Sequence, residues 1–223
     1  MRYLAVVQSQ SGVLEHFVNS FSSDACRITR FNEVWAFESP AFNASSSAAE
    51  VFPLADALLS DVRRILSLYG GMSSPVTVNY IQCVDENGQP CGISIRSTIT
   101  IHMMSPTATT ELATPVHGQP LGTAILEASL KDTKIKEALT LFQDLENQWA
   151  DVCDIIEFLG GPDLVERSGL CTRKEARTIK QTANYYRHLG SPNPSLLPPN
   201  PPTLPQASLF ARRLLRRWIE SRL

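Results

Sequence analysis

The chain has 223 residues and no apolar run approaching the roughly 18 that a membrane-spanning helix needs, so no membrane contact is expected. It has no Walker A, dinucleotide-binding, zincin or nucleophile-elbow motif, so neither a cofactor nor a metal is expected. Its five cysteines (26, 83, 91, 153 and 171) are odd in number and never in C-x-x-C spacing. That pattern excludes a disulfide framework and a zinc ribbon, and points to free buried thiols in a reducing cytoplasm. The opening MRYLAVVQSQSG holds too short an apolar run for a secretory leader, and a cytoplasmic location is expected. An excess of positive charge is also missing. The sequence pI near 6.1 argues against a dedicated nucleic-acid binder, whose domain pI usually exceeds about 9.

The net charge of −2 nevertheless hides a division. Residues 1–159 carry 9 Lys+Arg against 18 Asp+Glu, a net of −9, whereas residues 160–223 carry 11 against 4, a net of +7. Either the acidic part faces the basic part, within the fold or between protomers, or the basic part offers an anion surface to an acidic protein or nucleic acid.

In the first half, residues 2–8 and 26–38 have the β-branched and aromatic enrichment of strands, the second ended by Ser39-Pro40. A short helix is predicted over 12–21 and a loop over 43–49. A longer helix follows with Pro53 in its first turn, a stripe of Leu54, Ala57 or Leu58, Val62, Ile65 or Leu66 and Tyr69, and a stop at Gly70-Gly71. The clearest pattern is a hairpin. Odd positions from Cys91 to Met103 are mainly apolar, as are even positions from Val76 to Val84. An Asn87-Gly88 two-residue turn would pair Glu86 with Gln89, Val84 with Cys91 and Tyr80 with Ile95, putting both apolar sets on one buried face. This register sends Cys83 and Cys91 to opposite faces, so no disulfide between them is expected. His102 on the wet face and His117 in the Pro/Thr-rich stretch 105–120 read as surface histidines.

From Leu121 onward the apolar period is helical. A short helix is predicted over 123–130, then one long helix from Asp132 or Thr133 to Leu159, ended by Gly160-Gly161-Pro162. Asp151, Asp154 and Glu157 step by three on its acidic side; they suit Mg²⁺ binding or acid–base work, a solvated face, or a partner for the basic tail. A short helix over 162–167 precedes the best-specified stretch, TRKEARTIKQTANYYRHLGS at 172–191. Thr172 and Glu175 form a capping box. Ala176, Ile179, Ala183 and Tyr186 make its buried stripe, and Arg173, Arg177, Lys180, Asn184, Arg187 and His188 line the other side. An extended strap with seven prolines between 192 and 205 leads to a terminal helix. There Arg212, Arg213, Arg216 and Arg217 point away from Ala207, Phe210 or Ala211, Leu214, Trp218 and Ile219.

Two uses of these polar residues are predicted beyond simple solvation. Arg173, Arg177, Lys180, Arg212, Arg213, Arg216 and Arg217 are the candidate anion or nucleic-acid contacts, with 162–181 as a helix-turn-helix variant of that reading. Asn184, Arg187 and His188 are the candidate catalytic set of a metal-independent ribonuclease, with His188 as general acid/base and Arg187 steadying the phosphorane. The alternative is that Arg187 and His188 complement the negative end of their helix.

Trp149, Ile155-Ile156-Glu157, Thr182-Ala183-Asn184, Arg187-His188, the proline-rich strap and a terminal helix bearing Trp218 occur in an order that resembles a family of uncharacterised bacterial proteins, over about the last 75 residues. The chain departs from the family's pattern in having only two tyrosines between the Ala-Asn and Arg-His pairs. The resemblance implies a bacterial, intracellular helical module and carries no activity. The expected fold is α+β, with an antiparallel sheet bearing helices on one face (1–118) and a C-terminal helical bundle (119–223), as one continuous body or two. The expected function is that of a non-enzymatic interaction protein with a basic C-terminal module; the ribonuclease is the alternative. A homo-oligomer is compatible with either.

Overall fold

The structure is a computed structural model that describes residues 1–8, 13–23, 26–69, 76–95, 115–143, 148–187 and 196–223. It divides into two units, Met1–Lys131 and Asp132–Leu223. The first holds β1 (Arg2–Gln8), α1 (Val13–Ser20), β2 (Arg27–Phe31), β3 (Val34–Glu38), α2 (Pro40–Asn43), α3 (Ala48–Leu68), β4 (Thr77–Val84), β5 (Pro90–Ile95), the two-residue ladder β6 (Pro115–Val116) and β7 (Gln119–Pro120), and α4 (Leu121–Lys131). The second holds α5 (Thr133–Gln143), α6 (Trp149–Phe158), α7 (Pro162–Arg167), α8 (Arg173–Arg187) and α9 (Leu204–Glu220). The class is α+β, and the dividing line falls after α4 rather than at 118/119.

The main sheet is antiparallel throughout, in the order β2-β3-β1-β4-β5. β1 is central, and Leu4, Ala5, Val6 and Val7 are all buried, as a strand covered on both faces requires. Ala5 pairs with both Phe37 and Ile81, making a fully buried row across three strands. Leu4, Val6, Ala36 and Val84 form a cluster of their own with Phe31, Val34 and Tyr80 against it. α3 packs on β1 and β4, and α2 packs on β1.

Several predicted elements are replaced. The single strand over 26–38 is a hairpin: Phe31 pairs with Val34, and Asn32 and Glu33 turn between them at φ 44° and 66°. That is the left-handed pair of a tight hairpin turn, which Asn tolerates and Glu ordinarily avoids. α3 begins within the predicted loop, at Ala48. Ser47 is extended before it, and Glu50 holds Ser46 by its N–H at 2.8 Å and its hydroxyl at 2.9 Å. Pro53 therefore lies inside the helix, and Leu54 is exposed while Val51 and Ala55 are buried. Gly70 and Gly71 lie outside the described residues.

The β4–β5 hairpin keeps its expected register at Tyr80–Ile95, but not at its tip. The Asp85 carboxylate accepts from the N–H of Asn87 and of Gln89, both at 2.8 Å, and Asp85 N–H donates to Gln89 O at 2.9 Å. The turn is thus Glu86-Asn87-Gly88, with Gly88 left-handed at φ 78°, one residue longer than predicted. Val84 then pairs with Pro90 while Cys83 pairs with Gly92, which leaves Cys91 as the extra residue of a bulge. A bulge presents its extra side chain on the same side as its neighbour's, so Cys91 joins Cys83 instead of opposing it. Their sulfurs are 3.0 Å apart, and both thiols are free. Cys91, Ile93 and Ile95 are exposed rather than buried, because β5 is the edge of the sheet among the described residues. Residues 96–103, including His102, lie outside the described residues.

In the second unit the long helix predicted over 132–159 is two helices. Gln148 is extended, and Asp151 reaches back to its N–H at 3.1 Å to start α6 afresh. α6 ends as predicted: Gly160 and Gly161 are left-handed, and their N–H groups donate to Glu157 O and Ile156 O, closing the helix. α9 buries Ala207, Phe210, Ala211, Leu214, Leu215 and Ile219, so its apolar side belongs to a core. Among the described residues no helix is long and apolar enough to cross a membrane.

Candidate functional site: the charged face of α6, α7 and α8

α8 starts where its sequence says it should. Thr172 N–H donates to Glu175 at 3.0 Å, and Glu175 N–H donates to the Thr172 hydroxyl at 3.2 Å. Ala176, Ile179, Thr182 and Ala183 are buried, which turns the cations of α8 to the opposite side. The reversals at Gly160-Gly161 and at Gly169 (φ 70°) send α6 and α7 back along α8. As the residue number rises along α8, the acid it meets falls in number.

Arg173 lies 2.9 Å from Asp163 and 3.7 Å from Glu166; Arg177 is 3.4 Å from Asp163. Lys180 is 3.6 Å from Glu157, and Arg187 is 3.3 Å from Asp154. The remaining predicted anion contacts, on α9, are also engaged. Arg213 meets Glu175 at 3.8 Å, Arg216 meets Glu220 at 3.0 Å, and Arg217 donates to Leu170 O at 3.2 Å. The Arg212 guanidinium lies 4.8 Å from the centre of the Phe142 ring. All seven candidate cations therefore have a partner inside their own unit. The acidic trio is divided too, with Asp151 in the α6 cap, Asp154 on Arg187 and Glu157 on Lys180. Among the described residues no group of three or more His, Cys, Asp or Glu is placed to hold a metal ion.

The candidate catalytic residues are only partly gathered. Asn184 accepts a hydrogen bond from the Cys153 thiol at 3.1 Å. Cys153 is fully buried, and burial raises its pKa, with Arg187 pulling it partly back. A thiol in that state stays protonated at neutral pH and is no nucleophile. Beside it, Tyr186 stacks on Trp149 with ring centres 5.0 Å apart and planes 15° from parallel. His188 lies outside the described residues. The helix-turn-helix variant fares no better: α7 has six residues, and Arg173 and Arg177 at the start of α8 are turned to α7's own Asp163.

Two residues of this face carry no mark in the sequence. Asp163 is the second residue of a short helix, and its distance of ten and fourteen positions from its arginines matches no local rule. Cys153 reads as one more apolar position beside Val152 and Ile156; its bond to Asn184 follows only from the packing of α6 on α8. Comparison with protein-family models, curated proteins and solved structures gives no match.

Proposed function

We propose that the chain is a non-enzymatic binding protein of the bacterial cytoplasm, whose helical unit meets other proteins through the charged face of α6, α7 and α8. The supporting observation is the pairing of all seven candidate cations with groups of the same unit. At Arg173, Arg177, Lys180, Arg213 and Arg216 a polyanion gains only by displacing a carboxylate already in place. A protein surface of mixed charge can meet both signs at once. The pairs are shallow, with Arg177 and Asp163 each 57% exposed, so exchanging them for a partner's charges costs little.

The experiment is a mobility-shift and cleavage assay on mixed RNA and DNA at about 50 mM salt, where phosphate contacts are strongest. The expected result is neither shift nor cleavage. A shift that weakens steeply with added salt overturns the reading in favour of a nucleic-acid binder. Cleavage abolished by His188→Ala, Arg187→Ala or Asn184→Ala overturns it in favour of the ribonuclease. Arg187 supports that second reading in one respect: it keeps 37% of its side chain exposed at the end of α8.

A further inference from the structure

The strongest chemistry outside the helical face is at the tip of the β4–β5 hairpin. We propose that Cys83 and Cys91 are a redox-responsive dithiol, which a peroxide closes to an intrachain disulfide and a cellular dithiol reopens. Three features place them for it. Their sulfurs are 3.0 Å apart, with Cys91 donating to Cys83, so bond formation at about 2.05 Å asks the sulfurs to approach by only about 1 Å. The bulge puts both side chains on one side of the hairpin. Gly92, the pairing partner of Cys83, adds no side chain there; a Cβ on it would stand 3.7 Å from that of Cys83. The remaining cysteines are placed differently. Cys26 is buried with its pKa pushed up to about 12, Cys153 bonds Asn184, and Cys171 bonds Thr172 O.

Exposure assigns the roles. Cys91 is open to solvent and Cys83 is half-buried. Cys91 gives its proton to water, and its thiolate attacks one oxygen of hydrogen peroxide. The O–O bond breaks, Cys91 becomes a sulfenic acid, and the departing hydroxide is protonated to water. The Cys83 sulfur then attacks the Cys91 sulfur. The S–S bond forms, the S–O bond breaks, and the hydroxide leaves as water with the Cys83 proton. Two thiols and one peroxide give one disulfide and two waters, so two electrons pass to the peroxide. Burial first, then the hydrogen bond and charge of the neighbouring Cys91, raise the Cys83 pKa above that of a free thiol. The product ties an exposed edge strand to its neighbour around the turn. In a reducing cytoplasm it is a transient state, not a structural bridge.

The test uses the full chain and equimolar hydrogen peroxide. No Lys or Arg lies between Arg64 and Arg96, so trypsin leaves both cysteines in one peptide; a protease cutting after Glu86 separates them. The expected result is two peptides that stay joined until dithiothreitol is added, and a fall in titratable thiols from five to three. In Cys83→Ser the joined species is lost, and one equivalent of peroxide leaves Cys91 as a sulfenic acid, a gain of about 16 Da that dimedone traps. Cys91→Ser, at an exposed position, should lose no thiol under the same treatment; circular dichroism checks that both variants fold. Direct over-oxidation of Cys91 in the wild type with Cys83 still free overturns the proposal. So does a disulfide that links two chains.

Discussion

Glu33 sits at φ 66° in the β2–β3 turn, where an L side chain costs on the order of 1 kcal/mol and glycine costs nothing in strain. Glu33→Gly should therefore add stability of about 1 kcal/mol less glycine's extra chain entropy, which a raised thermal midpoint would report. Gly122 carries the opposite sign. Replacing a helix glycine by alanine ordinarily gains about 1 kcal/mol. Here a Cβ would stand 2.6 Å from Ser20 O and 3.1 Å from the Phe21 ring, where Thr123 also bonds Ser20 O and Ser22 N–H. Gly122→Ala should thus lower stability by roughly 2 kcal/mol in urea unfolding. Glu175 makes a pH prediction. Its hydrogen bond from the Thr172 hydroxyl, then that from the Thr172 N–H, hold its carboxyl below the usual 4.5. A carboxyl with a depressed folded pKa contributes stability above its unfolded pKa and loses it as pH falls through the folded value. The stability gap between wild type and Glu175→Gln should therefore be full at pH 6 and shrink as the pH is lowered below about 4.

Local chemistry wrote most of the elements plainly. The Thr172/Glu175 box, the Gly160-Gly161 stop and the period-2 pattern of β4 each act over a few residues and need no distant partner. The failures occurred where a short signal had a stronger rival. Asn87-Gly88 reads as a two-residue turn, but Asp85 holds two N–H groups at once and lengthens it. Pro53 reads as a first-turn residue, but Ser46 and Glu50 start the helix before it. An unbroken apolar period through 132–159 hides the new start at Gln148, because α5 and α6 both need that period. Of the charged face, the sequence shows which residues are cations but not where their partners stand, since pairings such as Arg187 with Asp154 exist only once α6 has packed on α8. Those pairs hold the helices weakly. Leu214→Ala, which empties a fully buried site on α9, should cost about 2–5 kcal/mol, against less than about 1 kcal/mol for Asp154→Asn; chemical denaturation monitored by tryptophan fluorescence separates the two.

The charge division changes meaning when the chain is cut where the structure divides it. Residues 1–131 hold 7 Lys+Arg against 11 Asp+Glu, a net of −4, and residues 132–223 hold 13 against 11, a net of +2. The sequence contrast of −9 and +7 arose because the acids of α6 lie upstream of the cations they neutralise. Most of the basic excess is thus answered within its own unit. The triple variant Asp154→Asn, Glu157→Gln and Asp163→Asn uncovers those cations. At about 50 mM salt it should shift RNA more strongly than the parent chain does, and that gain should be lost by about 200 mM.

The hairpin tip also says how its length can change. Its turn is one residue longer than the shortest that would serve, and the bulge at Cys91 absorbs that residue before the ladder reaches Tyr80 and Ile95. An insertion has in effect been made and then cancelled five residues away from the Glu86 where it began. Deleting Cys91 would leave Val84 with Pro90 and Cys83 with Gly92, every other pair in place, and the thiol partner gone. A one-residue deletion at this tip would therefore remove the thiol pair without touching the rest of the sheet.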